Sequence, residues 1–315
     1  MAQAKPFLKW VGGKGQLIPQ LGAFLPARFG EWKDVTYIEP FVGGGAMLFH
    51  MLQSYDNISR VVINDINEEL TTCYRTVRDH AGELLERLAL IQDEYRALRD
   101  EGERKEYFMQ KRRFFNEKPL SPVENTSLFI FLNRTCFNGL YRVNKSGAFN
   151  VPFGRYAQPT ICDRDTIIED SRLLRKVEIM TGDFEATLKK ANGNTLFYFD
   201  PPYRPISSTS NFKDYAKEPF DDMSQVRLKR FCDKVQERGY YFMLSNSDGM
   251  GNYGNDSFFD DLYADYPIER VWASRSVNAV ASKRGKLSEI LVHNYEETVA
   301  SCNENSIYRH LRVAL

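Results

Sequence analysis

The sequence predicts an α/β fold built on a mostly parallel sheet and interrupted by an inserted subdomain. Short apolar runs rich in β-branched and aromatic residues recur toward both ends of the chain, and helical patterns separate several of them. Between the two sets, from about Glu68 to Asp165, the composition changes character. With 315 residues and 43% hydrophobic content, the chain can fill a sizeable core.

The expected strands are Val35–Ile38 and Arg60–Ile63 before the insertion, then Val177–Met180, Thr195–Phe199, Tyr240–Leu244, Ile268–Trp272 and Glu289–Val292 after it. The insertion opens with a charged helical pattern from Glu68 to about Arg99, followed by the aromatic and basic segment Tyr107–Phe115. Neither resembles a buried parallel strand. From Asn133 to Tyr156, Gly, Asn, Arg and aromatic residues dominate, which predicts a hairpin or a long functional loop. The expected division is a main domain of residues 1–67 and 166–315 and a subdomain of residues 68–165. The tail 296–315 carries no motif and reads equally as a packed helix or an arm.

Lys+Arg and Asp+Glu both number 42, so no global field draws the chain toward nucleic acid, and any such contact must rest on local patches. The start lacks an apolar signal segment, and no run approaches the roughly 18 apolar residues of a membrane helix, so the expected location is the cytoplasm. Cys73, Cys136, Cys162, Cys232 and Cys302 lack C-x-x-C spacing, and His50, His80, His293 and His310 lack metal spacing. Free thiols and no metal are expected.

Asp200-Pro201-Pro202-Tyr203 follows the Thr195–Phe199 run. Neither proline can donate to a ladder and each fixes its own φ, so the chain must leave the sheet there. Strand ends are where open α/β sheets bind ligands, and an acceptor beside a flat ring suits a planar, amino-bearing base. Glu39-Pro40-Phe41-Val42-Gly43-Gly44-Gly45 follows the first strand and opens a helix, which outlines a nucleotide or cofactor pocket. The spacing is not G-x-G-x-x-G, so a dinucleotide-binding dehydrogenase matches less well. Asp65, ending the second strand, can accept from ribose hydroxyls; alternatively Asp65 or Asn67 caps the next helix, and the glycine turn upstream favours ribose. Lys9–Gly15 lacks Walker spacing and a preceding strand; it is an ordinary turn, or Trp10 and Lys14 cover a cofactor held at the glycines.

In this order, Phe7–Lys14, Glu39–Ala46, Asn64–Asn67, Asn138–Arg142, Phe149–Tyr156, Gly182–Phe184 and Asp200–Tyr203 resemble the Dam-type N6-adenine DNA methyltransferases over nearly the whole chain. Asn211-Phe212, Leu244–Asn246 and Arg275–Asn278 resemble later segments of that family. The resemblance implies a Rossmann-like methyltransferase sheet with helices on both faces, and an inserted, mainly helical target-recognition subdomain carrying a β-hairpin. It also implies S-adenosyl-L-methionine as cofactor and double-stranded DNA as partner. Asp200 and the Pro201 carbonyl would accept hydrogen bonds from the target amino group, and Tyr203 would stack on a flipped base. Asp65 would bind the ribose, Asp183 and Phe184 would flank the cofactor adenine, and Trp10 and Lys14 would close over its methionine end. Glu39, Phe41, Gly43 and Gly45 would complete that pocket.

None of the cysteines follows a proline, which excludes the covalent C5-cytosine mechanism, and Asp rather than Ser or Asn at position 200 favours adenine. The resemblance sets Arg142, Leu140 and Pro152 against a GATC site, with Phe137 as a wedge and Lys9 reaching a base from the main domain. Arg134, Asn138 and Arg155 join them as candidate DNA contacts, and Lys111, Arg112, Arg113, Lys283, Arg284 and Lys286 as phosphate contacts or merely solvated charges. A cognate restriction endonuclease, and a monomer or DNA-induced dimer, are compatible with these residues. The alternative is an RNA or other amine methyltransferase using the same Asp-Pro-Pro-Tyr site.

Overall fold

The computed structural model describes residues 3–204, 220–249, 256–274, 286–296 and 298–299. Every expected run is a strand of one 7-stranded sheet in the order β3-β2-β1-β4-β5-β7-β6. The strands are β1 (Val35–Glu39), β2 (Ile58–Asp65), β3 (Val177–Thr181), β4 (Thr195–Phe199), β5 (Tyr241–Ser247), β6 (Ile268–Ser274) and β7 (Lys286–His293). β1 pairs in parallel with β2 and β4, β2 with β3, and β4 with β5, whereas β7 runs antiparallel between β5 and β6. The order of connection reverses between β1 and β4, which opens a crevice at their C-terminal ends.

Side chains alternate across a strand, and the alternation gives this sheet two cores. Ile38, Val62, Phe197, Phe199, Phe242, Leu244, Ile290 and Val292 face α8 (Asp222–Glu237) and α9 (Phe258–Leu262), where Leu228, Phe231, Val235 and Phe259 meet them. Tyr37, Val61, Ile63, Leu196, Tyr198, Met243 and Leu291 face the other way. They pack with α1 (Ile18–Ala23), α2 (Ala46–Ser54), α7 (Arg164–Leu174) and the helices of the insertion. Both faces are therefore covered, as a parallel sheet requires.

The insertion supplies α3 (Glu68–Asp79), α4 (Ala81–Arg96), α5 (Glu101–Asn116) and α6 (Pro122–Thr135). α6 starts with Pro122 after a capping box in which Ser121 and Glu124 satisfy each other's backbone N–H, and most of its length is buried. The segment Tyr107–Phe115 lies within α5, and Phe108 and Phe115 turn inward. Leu70, Tyr74, Leu88, Phe108 and Phe131 join the same core as the sheet face, so the core is continuous across residue 68. The expected hairpin takes a minimal form, with isolated bridges Cys136–Phe153 and Val143–Phe149 and a turn in which Asn144 Oδ1 accepts from the Ser146 and Ala148 N–H groups.

After β7 the chain returns to the end of α1, where Pro26 bridges Thr298 and the Val299 N–H reaches the Leu25 carbonyl at 2.9 Å. The rest of the tail, Cys302 and His310 lie outside the described residues, as do Asn211-Phe212, Arg275–Asn278, Lys283 and Arg284. Cys73, Cys136, Cys162 and Cys232 are free thiols. Among the described residues no helix is long and apolar enough to cross a membrane, and no cluster of His, Cys, Asp and Glu could hold a metal ion.

On α7, Asp170 is fully buried, with Oδ1 accepting the Lys5 N–H at 3.1 Å and Oδ2 partnerless. Burial pushes its carboxyl up to about 8, against the pull of the Lys5 N–H. The unfolded chain ionises this group from about pH 4, so the folded state loses stability as pH rises from about 4 toward 8. Asp170→Asn should therefore stabilise the protein at about pH 9 by on the order of 2 kcal/mol, and the gain should vanish near pH 4. Melting curves of both proteins across that range check this.

Candidate active site

Alternation also gathers the polar groups. Beyond Tyr37, Leu196 and Met243 on one sheet face come Glu39, then Tyr198 and Asp200, then Ser245, with Glu289 beside Leu291 on β7. All reach the C-terminal ends of the parallel strands at the crevice between β1 and β4.

The turn after β1 requires its glycines. Gly43 and Gly45 have φ of 49° and 74°, and a Cβ on Gly45 would stand 2.4 Å from the Tyr74 hydroxyl. That hydroxyl donates to the Gly43 carbonyl at 3.0 Å, while Asp65 accepts the Gly43 N–H at 3.1 Å and the Asn67 N–H at 2.9 Å. Burial pushes Asp65 up to about 6, and these backbone donors pull it back. Asn67 is the cap of α3, accepting the Leu70 N–H, so the capping and bracing roles are divided between the two residues. Trp10 lies over the turn: a Cβ on Gly43 would meet its ring at 3.1 Å and one on Gly44 its Cβ at 3.0 Å, and the ring stacks on Tyr141 at 5.8 Å.

Asn64 ties the loops together, donating to the carbonyls of Pro40 at 3.0 Å and Gly182 at 2.9 Å. Phe41 meets Phe184 at 5.2 Å and Phe220 edge-on at 5.7 Å. Asp183 accepts the Glu185 N–H at 2.9 Å and pairs with Arg227, whose guanidinium lies 4.6 Å above the Phe184 ring. Glu39 is buried and accepts from the Tyr37 hydroxyl at 2.6 Å; burial pushes its carboxyl up to about 8 against that hydrogen bond. Tyr198 is also buried, and its hydroxyl has no partner.

Lys14 is placed differently from the expected lid over the glycines. Its buried ammonium lies 3.0 Å from Asp200 Oδ1 and 2.9 Å from Glu289 Oε2, contacts the Tyr203 hydroxyl, and sits 4.4 Å from the centre of the Tyr203 ring. Desolvation lowers the Lys14 pKa, but Asp200 and Glu289 outweigh it and hold the ammonium charged. Burial pushes Asp200 up to about 6, with Lys14 pulling it back. Ser245 donates to Glu289 at 3.0 Å. Glu289 escaped the sequence reading because it sits inside a strand pattern, Ser245 was named only within the Leu244–Asn246 segment and given no role, and the β5–β7 pairing brings both to the crevice.

The insertion places Phe137, Asn138, Arg142, Pro152 and Arg155 on an exposed surface, where Lys9 of the N-terminal segment is exposed too, and Phe137 is 51% exposed despite its size. The Phe137 N–H donates to the Pro152 carbonyl at 2.8 Å, and Asn138 takes a left-handed φ of 55°. Asn133 grips Lys9 through both backbone groups at 2.8 Å, and Gly139 leaves room for the Lys9 stem. Arg142 Nε donates to Asn150 at 2.7 Å, Leu140 packs against the core, and Arg155 faces Glu101 at 3.5 Å. Arg134 turns inward to the Phe7 carbonyl at 2.8 Å and is largely buried, which makes it a brace between α6 and the N-terminal segment. Arg112 likewise braces the Val151 carbonyl, Lys111 pairs with Glu94, and Arg113 is exposed.

Gly45→Ala should cost at least about 2 kcal/mol from the positive φ together with the clash. Adding Tyr74→Phe should recover part of the loss, because it removes the clashing oxygen but not the strained φ; denaturant unfolding of the two single variants and the double variant checks the coupling.

A family model described as D12 class N6 adenine-specific DNA methyltransferase matches residues 10–277. The Type II methyltransferase M.MjaIII of Methanocaldococcus jannaschii is 44% identical, over 93% of this chain and 100% of its own length. The Type II methyltransferase M1.LlaDCHI of Lactococcus lactis subsp. cremoris is 38% identical, over 92% and 95%. The DNA adenine methylase of Haemophilus influenzae is 30% identical, over 91% and 92%. With the glycine turn, Asp200 and Tyr203 meeting at one crevice of a Rossmann-like sheet, the chain belongs to the D12 class of N6 adenine-specific DNA methyltransferases.

Proposed function

We propose that this adenine-specific DNA methyltransferase transfers a methyl group from S-adenosyl-L-methionine to an adenine flipped out of duplex DNA at GATC. The observation that carries the reading is the convergence of Asp200 and Tyr203 with the glycine turn at the β1–β4 crevice. The residues fit the cofactor: side-chain-free backbone lies under Trp10, Asp65 and Glu39 offer acceptors, and the buried Tyr198 hydroxyl is a donor still unused. When bound, S-adenosyl-L-methionine supplies an electrophilic sulfonium methyl. In this reading Asp65 meets the ribose, Phe41, Asp183 and Phe184 border the adenine, Glu39 and Trp10 serve the methionine end, and Lys14, bound between Asp200 and Glu289, holds the acceptor carboxylate in place.

Methylation of an exocyclic amine is a direct displacement, so the protein contributes position and electrostatics rather than a nucleophile. Asp200 and the Pro201 carbonyl accept the amino hydrogens and aim the nitrogen lone pair at the methyl. Tyr203 covers one face of the base. Inside a duplex that amine is paired and its faces are stacked, so the base must leave the helix. Phe137, exposed next to Pro152, is suited to fill the gap, and Arg142 to read a base edge. Lys9, Asn138, Leu140 and Arg155 complete the DNA face, while Arg134 acts by bracing α6. The relatives named Type II methyltransferases support a place beside a cognate restriction endonuclease. The protein acts in the cytoplasm, as a monomer or a DNA-induced dimer.

Host DNA recovered after expression should resist a methylation-sensitive GATC nuclease and be cut by a methylation-dependent one. Asp200→Ala should reverse both results while leaving duplex binding within a few-fold. Transfer to RNA alone would support the other reading of the site. Because the ionised Asp200 is the acceptor, transfer should decline as pH falls through about 6, read from a pH–rate profile. Arg142→Ala should relax preference among near-GATC sites by about 10- to 100-fold more than it slows the best site, whereas equal loss on all sequences would mark a phosphate contact.

A further inference from the structure

The loop from Asp200 to Arg204 leaves β4 and crosses the N-terminal turn of α8, which grips it twice. Asp222 receives the Arg204 guanidinium at 2.7 and 3.1 Å, and Asp256 receives it at 2.6 Å. One turn further along α8, Gln225 donates from Nε2 to the Pro202 carbonyl at 3.1 Å. Gln225 is fully buried, as is Asn246 on β5, whose Nδ2 donates to Gln225 Oε1 at 3.1 Å. Asn246 Oδ1 in turn accepts the Ser247 N–H at 2.8 Å. The two amides fix each other's orientation, so the Nε2 of Gln225 is the end presented to the loop.

That carbonyl controls the ring beyond it. The peptide bonds are planar and each proline fixes its own φ, while Pro202 also restricts ψ of Pro201. From Pro201 to the Tyr203 amide the one soft torsion is therefore ψ of Pro202, and the direction of the Pro202 carbonyl reports that torsion. Burying two amides beside Leu228 and Phe231 is costly unless their hydrogen bonds are made, and an apolar side chain would fill the space at lower cost.

Resting on the function proposed above, we propose that Gln225, oriented by Asn246, is a positioning residue for methyl transfer that fixes ψ of Pro202 and thereby the pose of Tyr203 against the target base. Gln225→Met keeps the volume and removes the donor; Gln225→Glu keeps the acceptor for Asn246 and, when ionised, cannot donate. For each variant, the single-turnover rate with saturating duplex and S-adenosyl-L-methionine should fall about 10- to 100-fold, the scale expected for a misplacement near 1 Å. The calorimetric affinity for S-adenosylhomocysteine should stay within about twofold of wild type, because the glycine turn and Asp65 are untouched. An unchanged rate in either folded variant overturns the proposal, as does a loss of rate matched by equal losses of cofactor affinity and thermal stability. A wild-type protein that binds S-adenosylhomocysteine without methylating duplex DNA would instead defeat the underlying functional reading.

Discussion

The site depends on one constraint: a strand buried on both faces must stay apolar until it ends. β4 is buried throughout and apolar or aromatic from Leu196 to Phe199, and the first acid comes just past its end at Asp200, where two prolines forbid further pairing. The prolines thus set where the sheet stops and how far a carboxylate can stand from water. Had the strand run two residues longer, Asp200 would lie inside the ladder. The alternation that buries Phe197 and Phe199 against α8 sends Tyr198 and Asp200 to the opposite face, toward Lys14 and Glu289.

Electrostatics follow from that placement. A lone buried carboxylate would take up a proton, and a buried ammonium would shed one. Lys14 lies between Asp200 and Glu289, which hold its ammonium charged against burial, and it in turn pulls the Asp200 carboxyl back toward ionisation. In the proposed reading such a site would receive a cationic methyl donor and a neutral amine, and an ionised Asp200 would offset the positive charge that passes through it during transfer. Glu39, in contrast, has only the Tyr37 hydrogen bond working against burial and the nearby Asp200 charge, so its proton is retained into the neutral range.

The sequence made the strands legible because a central strand admits few residue types, and all the expected runs pair in one sheet. The glycine turn and Asp200–Tyr203 were legible because each breaks a local pattern: three glycines open a helix, and two prolines close a strand. Glu289 and Gln225 were hidden, and Ser245 and Asn246 were named only as part of the Leu244–Asn246 segment without a role, for the opposite reason. Each sits within a regular helix or strand, and its significance arises only where β5, β7 and α8 meet. Arg134 shows the reverse limit: its position in a basic, aromatic stretch suggested a DNA contact, but helical phase turned it toward the Phe7 carbonyl. Asp65 and Asn67 were ambiguous because capping and ligand binding ask for the same side chains at a strand-to-helix junction.

The balanced net charge now has a structural meaning. A chain with equal acidic and basic residues gains nothing from long-range attraction to DNA, so its grip must be local and shape-dependent. Rigidity is where the insertion spends its polar groups: Asn133 holds Lys9, Arg112 holds Val151, Asn116 holds both backbone groups of Phe149, and Asn144 closes the turn. These contacts leave Phe137, Pro152 and Arg142 at the surface on a backbone that has little freedom left. If this surface is the DNA face of the proposed reading, it has less conformational entropy to lose on meeting the duplex, and a Phe137 wedge held in place would act on base stacking where a mobile one would fold back on the protein.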